Sequence, residues 1–261
     1  MLFNFIKTMT KIKYNKCRID RVGEISINTQ GCSMEIIESF SSIDNTVLFK
    51  DFNKTIVYNI AYKEFKNGSV KNNKLPSVFG IGYLGYGKYT PIINKKAYNC
   101  WKSILGRCYD KKVQLNTKNK SYVNSNVCQE WHNFQVFAEW FENNYIDSFE
   151  IDKDILLKGN KIYSPEMCCF VPQDINIIFC RLLKNRNCLI GVVKVGNRFK
   201  SEIKCGNIRK YLGTFDTKEE AFKIYKTKKE QYIKEVADKW QGKITEESYK
   251  ALYNYKIEIN D

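Results

Sequence analysis

The sequence predicts a multidomain α+β protein, and three stretches carry that expectation. Short apolar runs separated by turn residues fill 12–75. A strand, a polar loop, a second strand and a helix follow one another over 150–179. Three strands joined by tight turns run into a long helix over 188–240. The 261 residues, 43% of them hydrophobic and 14% aromatic, suffice for two or three small cores.

The first stretch contains EISIN, MEIIESF, TVLFKDF, TIVYNIAYKEF and GSVKN. Strands this short and this evenly spaced predict a small antiparallel β-barrel-like module or a meander over 1–75. Residues 76–97 differ in character, with Gly80, Gly82, Gly85 and Gly87 set among aromatics. Gly80, Gly82 and Gly85 have G-x-G-x-x-G spacing, but no strand-to-helix nucleotide unit surrounds them. An ordered linker is expected there, with Lys88, Tyr89, Lys95 and Lys96 as candidate phosphate contacts.

From 98 to 110, Trp101, Ile104, Leu105 and Cys108 recur on one helical face, with Arg107 at its edge. After a polar loop, Trp131, Phe134, Phe137, Trp140 and Phe141 recur at helical spacing, which marks core rather than a binding surface. Within EIDKDILLKGNKIYSPEMCCFVPQDINIIF, strands are expected over 150–156 and 168–171 and a helix opened by Pro172, Gln173 and Asp174, making a ββα unit. The central core is expected over 98–185.

Residues 186–243 form a further module. LIGVVKV, RFKSEIKC and RKYLGTF are joined by Gly196-Asn197 and Gly206-Asn207 turns. Thr217 and Glu220 are spaced as a capping box, ahead of a helix facing inward through Ala221, Ile224, Tyr225, Lys228 and Tyr232. On the middle strand Arg198, Lys200 and Lys204 alternate to one face, opposite Phe199, Ile203 and Cys205. Lys194, Arg209 and Lys210 are expected to extend that basic surface. A short helix or tail over 244–261 completes the chain.

The net charge of +15 and a pI near 9.2 call for a polyanionic partner. Between 181 and 243 stand 17 lysines or arginines against 7 acids, so ten of the fifteen excess charges fall in this quarter of the chain. Double-stranded DNA is the expected partner, with RNA or a host nucleoprotein complex as alternatives. No run of 18 apolar residues exists to span a bilayer. The N-terminal MLFNFIKTMTK, interrupted by Lys7, makes a poor signal peptide, and Met9 is an alternative start. A cytoplasmic protein with reduced thiols is therefore expected. The ten cysteines never form CxxC pairs; Cys128 and His132 have C-x3-H spacing, yet zinc is not expected without closer-paired ligands.

The ββα stretch resembles the phage and prophage branch of the HNH (ββα-metal) endonucleases. That branch runs approximately L-D-[RK]-x-D/I, then G-N-x-Y-S-P-E-N-C, then a helix carrying Asn. The order W-x5-RCY, VC-x2-W-x2-F-x2-F and IDKDI extends the resemblance over roughly 98–183. It implies a phage or mobile-element protein in a bacterial host cell. Asp152 then falls at a metal-binding Asp and Asn176 at the helix-borne metal ligand, with Asp174 a further oxygen donor for magnesium or another divalent ion. Lys153 occupies the place of the catalytic His and Met167 that of the middle Asn. A base must accept a proton near pH 7, which His does and an ordinary protonated lysine does not. Lys153 at this place can instead contact a phosphate. His132, the one histidine, is elsewhere in the sequence.

The C-terminal module resembles the APETALA-type (ethylene-response-factor) DNA-binding domain through Gly191-Val192, the run from Arg198 to Ile203 and YLGTFDTKEEA at 211–221. That resemblance implies a three-stranded sheet laid in the DNA major groove. Three functions follow, in this order. The first is a DNA-binding protein on a degenerate HNH core. The second is an active metal-dependent homing or nicking endonuclease. The third is an inhibitor or interaction protein acting on a host defence complex.

Overall fold

The computed structural model describes residues 19–51, 54–115, 122, 124–179 and 188–259. Met9, and the basic residues Arg181, Lys184 and Arg186 of the charge excess, lie outside them. The protein is mixed α/β, with several antiparallel sheets and no closed barrel among the described residues. It divides into two compact units: one runs to Ser77 and takes in Tyr83–Tyr86, and the other takes Val78–Gly82 and Gly87–Asp261.

In the first unit β1 (Ile25–Ile27), β2 (Ser33–Ser39), β3 (Asn45–Phe49) and β4 (Ile56–Ile60) form an antiparallel meander in sequence order. The barrel expectation is corrected here: β1 and β4 remain the two edges of an open sheet. The segment that would have continued the strands turns into α1 (Tyr62–Lys66). Its Phe65, with Val70 beyond it, covers Met34, Ile36, Val47, Phe49 and Val57 on the inner face. GSVKN forms no strand. Its Val70 is held by the Asn28 side chain, whose Nδ2 donates to the Val70 carbonyl at 2.9 Å.

In the second unit α2 (Lys95–Tyr109) and α3 (Lys111–Gln114) precede β5 (Asn126–Val127), a 3₁₀ turn (Gln129–His132) and α4 (Phe134–Asn144). The two aromatic faces meet as their spacing requires. Trp101, Ile104 and Leu105 of α2 are fully buried, as are Trp131, Phe134 and Phe137. Trp101 Nε1 donates to the Trp131 carbonyl at 2.7 Å, which satisfies the indole inside an apolar core. Gly82 lies against this core: a Cβ there would stand 2.5 Å from Leu105 and 2.8 Å from Trp101. Close packing thus accounts for that glycine.

β6 (Phe149–Asp152) and β8 (Cys169–Pro172) pair antiparallel, and α5 (Gln173–Phe179) follows directly. Between them β7 (Ile162–Tyr163) pairs in parallel with β5. β9 (Val192–Val195), β10 (Arg198–Cys205) and β11 (Ile208–Phe215) form an antiparallel sheet with β10 in the middle. Behind it lies α6 (Lys218–Trp240), opened by the Thr217–Glu220 capping box, and then α7 (Glu246–Tyr253).

One apolar core joins the hairpin to this sheet and helix. It runs from Ile155, Val171 and Ile175 through Val192, Ile203 and Tyr225 to Leu252 and Ile257. Because α6 packs on several elements, its buried face is rotated from the expected one. Phe222, Ile233, Val236 and Ala237 join Ala221 and Tyr225, whereas Ile224 is 37% exposed. Lys229 is drawn into this core, and burial lowers its ammonium from the ordinary range. Its Nζ donates to the Ile178 carbonyl at 3.1 Å, in the last turn of α5, where the helix dipole favours a cation.

Candidate nucleic-acid interface

The sheet presents two chemically distinct faces. Ser201 pairs with Val192, Phe199 with Phe215, and Ile203 with Lys210. Ser201 and Ile203 are buried toward α6, so this parity faces the helix. The opposite parity brings Arg198, Lys200, Glu202 and Lys204 of β10 together with Val193 and Val195 of β9 and Arg209 and Tyr211 of β11. A β-bulge between Ser201 and Glu202 shifts the pairing with β11. Four cations and one acid therefore share the outer face.

Their pairing is specific. Glu202 binds Lys200 at 2.8 Å and Arg209 at 3.0 Å, and Arg198 binds Asp216 at 2.8 Å. The bond from Lys200 is the largest of the effects holding the Glu202 carboxyl below its usual range. Lys204 has no ion-pair partner among the described residues. Lys194 and Lys210 differ from the expectation: paired with Phe199 and Ile203, they carry the helix-side parity and flank the sheet from its edges.

A cleft of about 2210 Å³ adjoins this sheet, lined by nine lysines or arginines and six acids. Residues of α2, of the β6–β8 hairpin and of β10 all contribute to its walls. Glu150 and Asp152 project to the same side of β6, since alternate strand residues share a face. Asp152 Oδ1 accepts from the backbone N–H groups of Asp154 and Ile155, both at 2.8 Å, and so caps the turn leaving the strand. Burial first, and the Asp154 carboxylate second, push the Asp152 carboxyl up to about 6.

Lys153 is only 5% exposed. Its Nζ donates to Asp154 and to the Asn160 carbonyl, each at 3.0 Å, and the Asn160 amide returns a bond to the Lys153 carbonyl. The ammonium thus braces its own loop. Asn176 hydrogen-bonds Glu150 through its Nδ2. Asp174 is engaged by Lys239 at 2.6 Å and Trp240 at 2.9 Å. Burial raises the Asp174 carboxyl, but those two bonds outweigh it and leave it below the usual carboxylate range. Of the oxygen donors expected from the motif, Asp152 keeps one oxygen clear of the two turn bonds. Glu150 adds a carboxylate on the same side, and such hard oxygens suit a magnesium-like ion.

Other expectations find different places. Tyr89 is buried, with the Lys88 ammonium 4.7 Å from its ring centre, and Lys96 pairs with Asp147. His132 packs edge-on against Tyr109, its ring centre 6.2 Å away. Burial pushes the Cys128 thiol up to about 11 and Cys100 up to about 12, keeping both neutral.

Two residues join the site to which the motif assigns no role. Glu150 was accessible to the period-two pattern, two positions before Asp152. Arg107 was visible as the edge of a helical face and as the arginine of W-x5-RCY, with no role attached; it lines the cleft half-buried and makes a long hydrogen bond, 3.5 Å, to the Tyr163 hydroxyl. The chain matches no known protein family, no characterised protein and no solved structure.

The raised Asp152 carboxyl makes a measurable prediction. An unfolded Asp ionises near 3.8, the folded one near 6, so stability from this group is complete below about 4 and is lost as pH rises through about 6. Asp152→Asn retains an oxygen for both turn bonds and carries no charge. Thermal melts should therefore place D152N a few degrees above the parent at pH 8, with the gap closing by pH 4. A gap independent of pH would contradict this account of the burial.

Proposed function

We propose that the chain grips duplex DNA with the outer face of the β9–β10–β11 sheet, beside a degenerate HNH-like hairpin that no longer cuts. The observation that carries the reading is the β10 register, which sets Arg198, Lys200, Lys204 and Arg209 on one solvent face and turns Ser201 and Ile203 toward α6. Phosphate contacts of this kind supply affinity and register on the duplex, while base readout needs further contacts. A three-stranded sheet that lies in the major groove, as in the APETALA-type domains, fits such a surface. Tyr211 on the same face is a candidate for a base-edge contact. A phage or mobile-element origin and action in the bacterial cytoplasm belong to the same proposal.

The hairpin supports binding without cleavage. Lys153 stands at the family's histidine position and is bonded into its own loop. A second reading, metal-dependent nicking, is favoured by Asp152 and Glu150 sharing one side of β6, with Asn176 bonded to Glu150. A divalent ion held there would polarise the scissile phosphate and lower the proton affinity of a bound water.

Supercoiled plasmid with magnesium or manganese separates the two. The binding proposal expects a salt-sensitive mobility shift and no nicked circle above the Asp152→Ala background. Nicking that requires either metal and disappears in D152A would establish the second reading instead.

A further inference from the structure

Arg107 lies in the last turn of α2 and is half-buried. A guanidinium stays charged at any physiological pH and offers five N–H donors in a planar fork. A cation removed from water is costly unless a counter-charge or hydrogen bonds replace the lost solvation. Here no carboxylate pairs with Arg107 among the described residues. Its neighbours are the Tyr163 hydroxyl at 3.5 Å and the Tyr122 ring, 5.0 Å from its Cζ. The Tyr163 phenol supplies no counter-charge: burial holds it well above its ordinary value.

A second cation stands by the same tyrosine. The Lys153 ammonium lies 5.9 Å from the Tyr163 ring centre. All three of Arg107, Lys153 and Tyr163 line the cleft. Tyr163, only 2% exposed, accepts from Arg107 and so holds the guanidinium at the cleft wall.

We propose that Arg107, held by the Tyr163 hydroxyl, forms a phosphate-binding subsite that takes one backbone phosphate of a nucleic-acid strand entering the cleft. The planar fork matches two phosphate oxygens. The polymer in this inference rests on the DNA-binding reading; the phosphate chemistry rests on Arg107 alone.

The test uses the full chain and two probes. First, the Arg107 side-chain Nε–H signal, assigned by its loss in Arg107→Lys, is followed while inorganic phosphate replaces chloride at matched ionic strength. It shifts in the parent, and phosphate raises the melting midpoint of the parent but not of Arg107→Gln. Second, duplex binding weakens about tenfold in R107Q, with a salt slope smaller by about one. If the phosphate response occurs but no variant or parent binds duplex, the subsite survives and the DNA reading fails. If Arg107 ignores phosphate, or if R107Q responds as the parent does, the subsite is overturned. A lower melting midpoint of R107Q with both responses intact also overturns it, since that outcome marks a purely structural arginine.

Discussion

Replacing Arg198, Lys200, Lys204 and Arg209 together by alanine is expected to weaken duplex binding by about a thousandfold at near-physiological salt. On the proposed grip each of the four cations would neutralise one phosphate, so their removal should lower the slope of log affinity against log salt by about 3.6. Extrapolated from molar salt, that slope corresponds to roughly three decades. The side chains lie on the solvent side of β10 and β11, away from the core shared by Ile203, Tyr225 and Val236. The variant should therefore melt close to the parent, and the fluorescence anisotropy of labelled duplex measures the weakening. Glu202→Gln should act in the opposite direction. It releases Lys200 and Arg209 from their shared carboxylate, so affinity rises severalfold if these cations meet phosphate. Weaker binding by E202Q would instead assign Glu202 to a base edge.

Gly191→Ala should be the most damaging single substitution in the C-terminal module. Gly191 has φ +74°, and a Cβ there would stand 2.0 Å from a ring carbon of Tyr225, which is itself buried. Backbone strain contributes about 1–2 kcal/mol, and displacing a packed aromatic ring contributes at least as much again. A loss of more than about 3 kcal/mol in denaturant unfolding is expected, together with loss of duplex binding. Gly196→Ala is the control: its φ is +59°, but nothing lies within 4 Å of the added Cβ. It should cost only the backbone strain. Equal losses at the two glycines would show that the Tyr225 contact contributes nothing.

Local rules explain what the sequence disclosed. The β9–β10 and β10–β11 turns, the Thr217 cap and the burial of Ile203 opposite Lys204 depend on neighbours a few residues apart, and each was legible. The aromatic faces of α2 and α4 were legible because helical spacing alone determines which residues meet. The open N-terminal meander was not. Whether four strands close depends on β1 meeting β4, a non-local event that strand spacing does not encode. The rotated face of α6 has a similar cause, since the hairpin and α7 draw Phe222, Ile233 and Val236 inward. At the candidate site, the strand-end place of Asp152 and the helix place of Asn176 were legible from the ββα order. The burial of Lys153 and the tyrosine surroundings of Arg107 depend on which side chains converge from α2, β7 and the 153–160 loop, and only the three-dimensional arrangement reveals that.

A basic face that holds DNA through its phosphates must displace counterions, and the salt dependence of parent binding reads that displacement most directly. Anisotropy titrations of one duplex at 50 and 200 mM monovalent salt should give a log–log slope of roughly −4, an affinity loss of about two decades. Binding that is absent at low salt, or equally tight at both concentrations, would contradict the account.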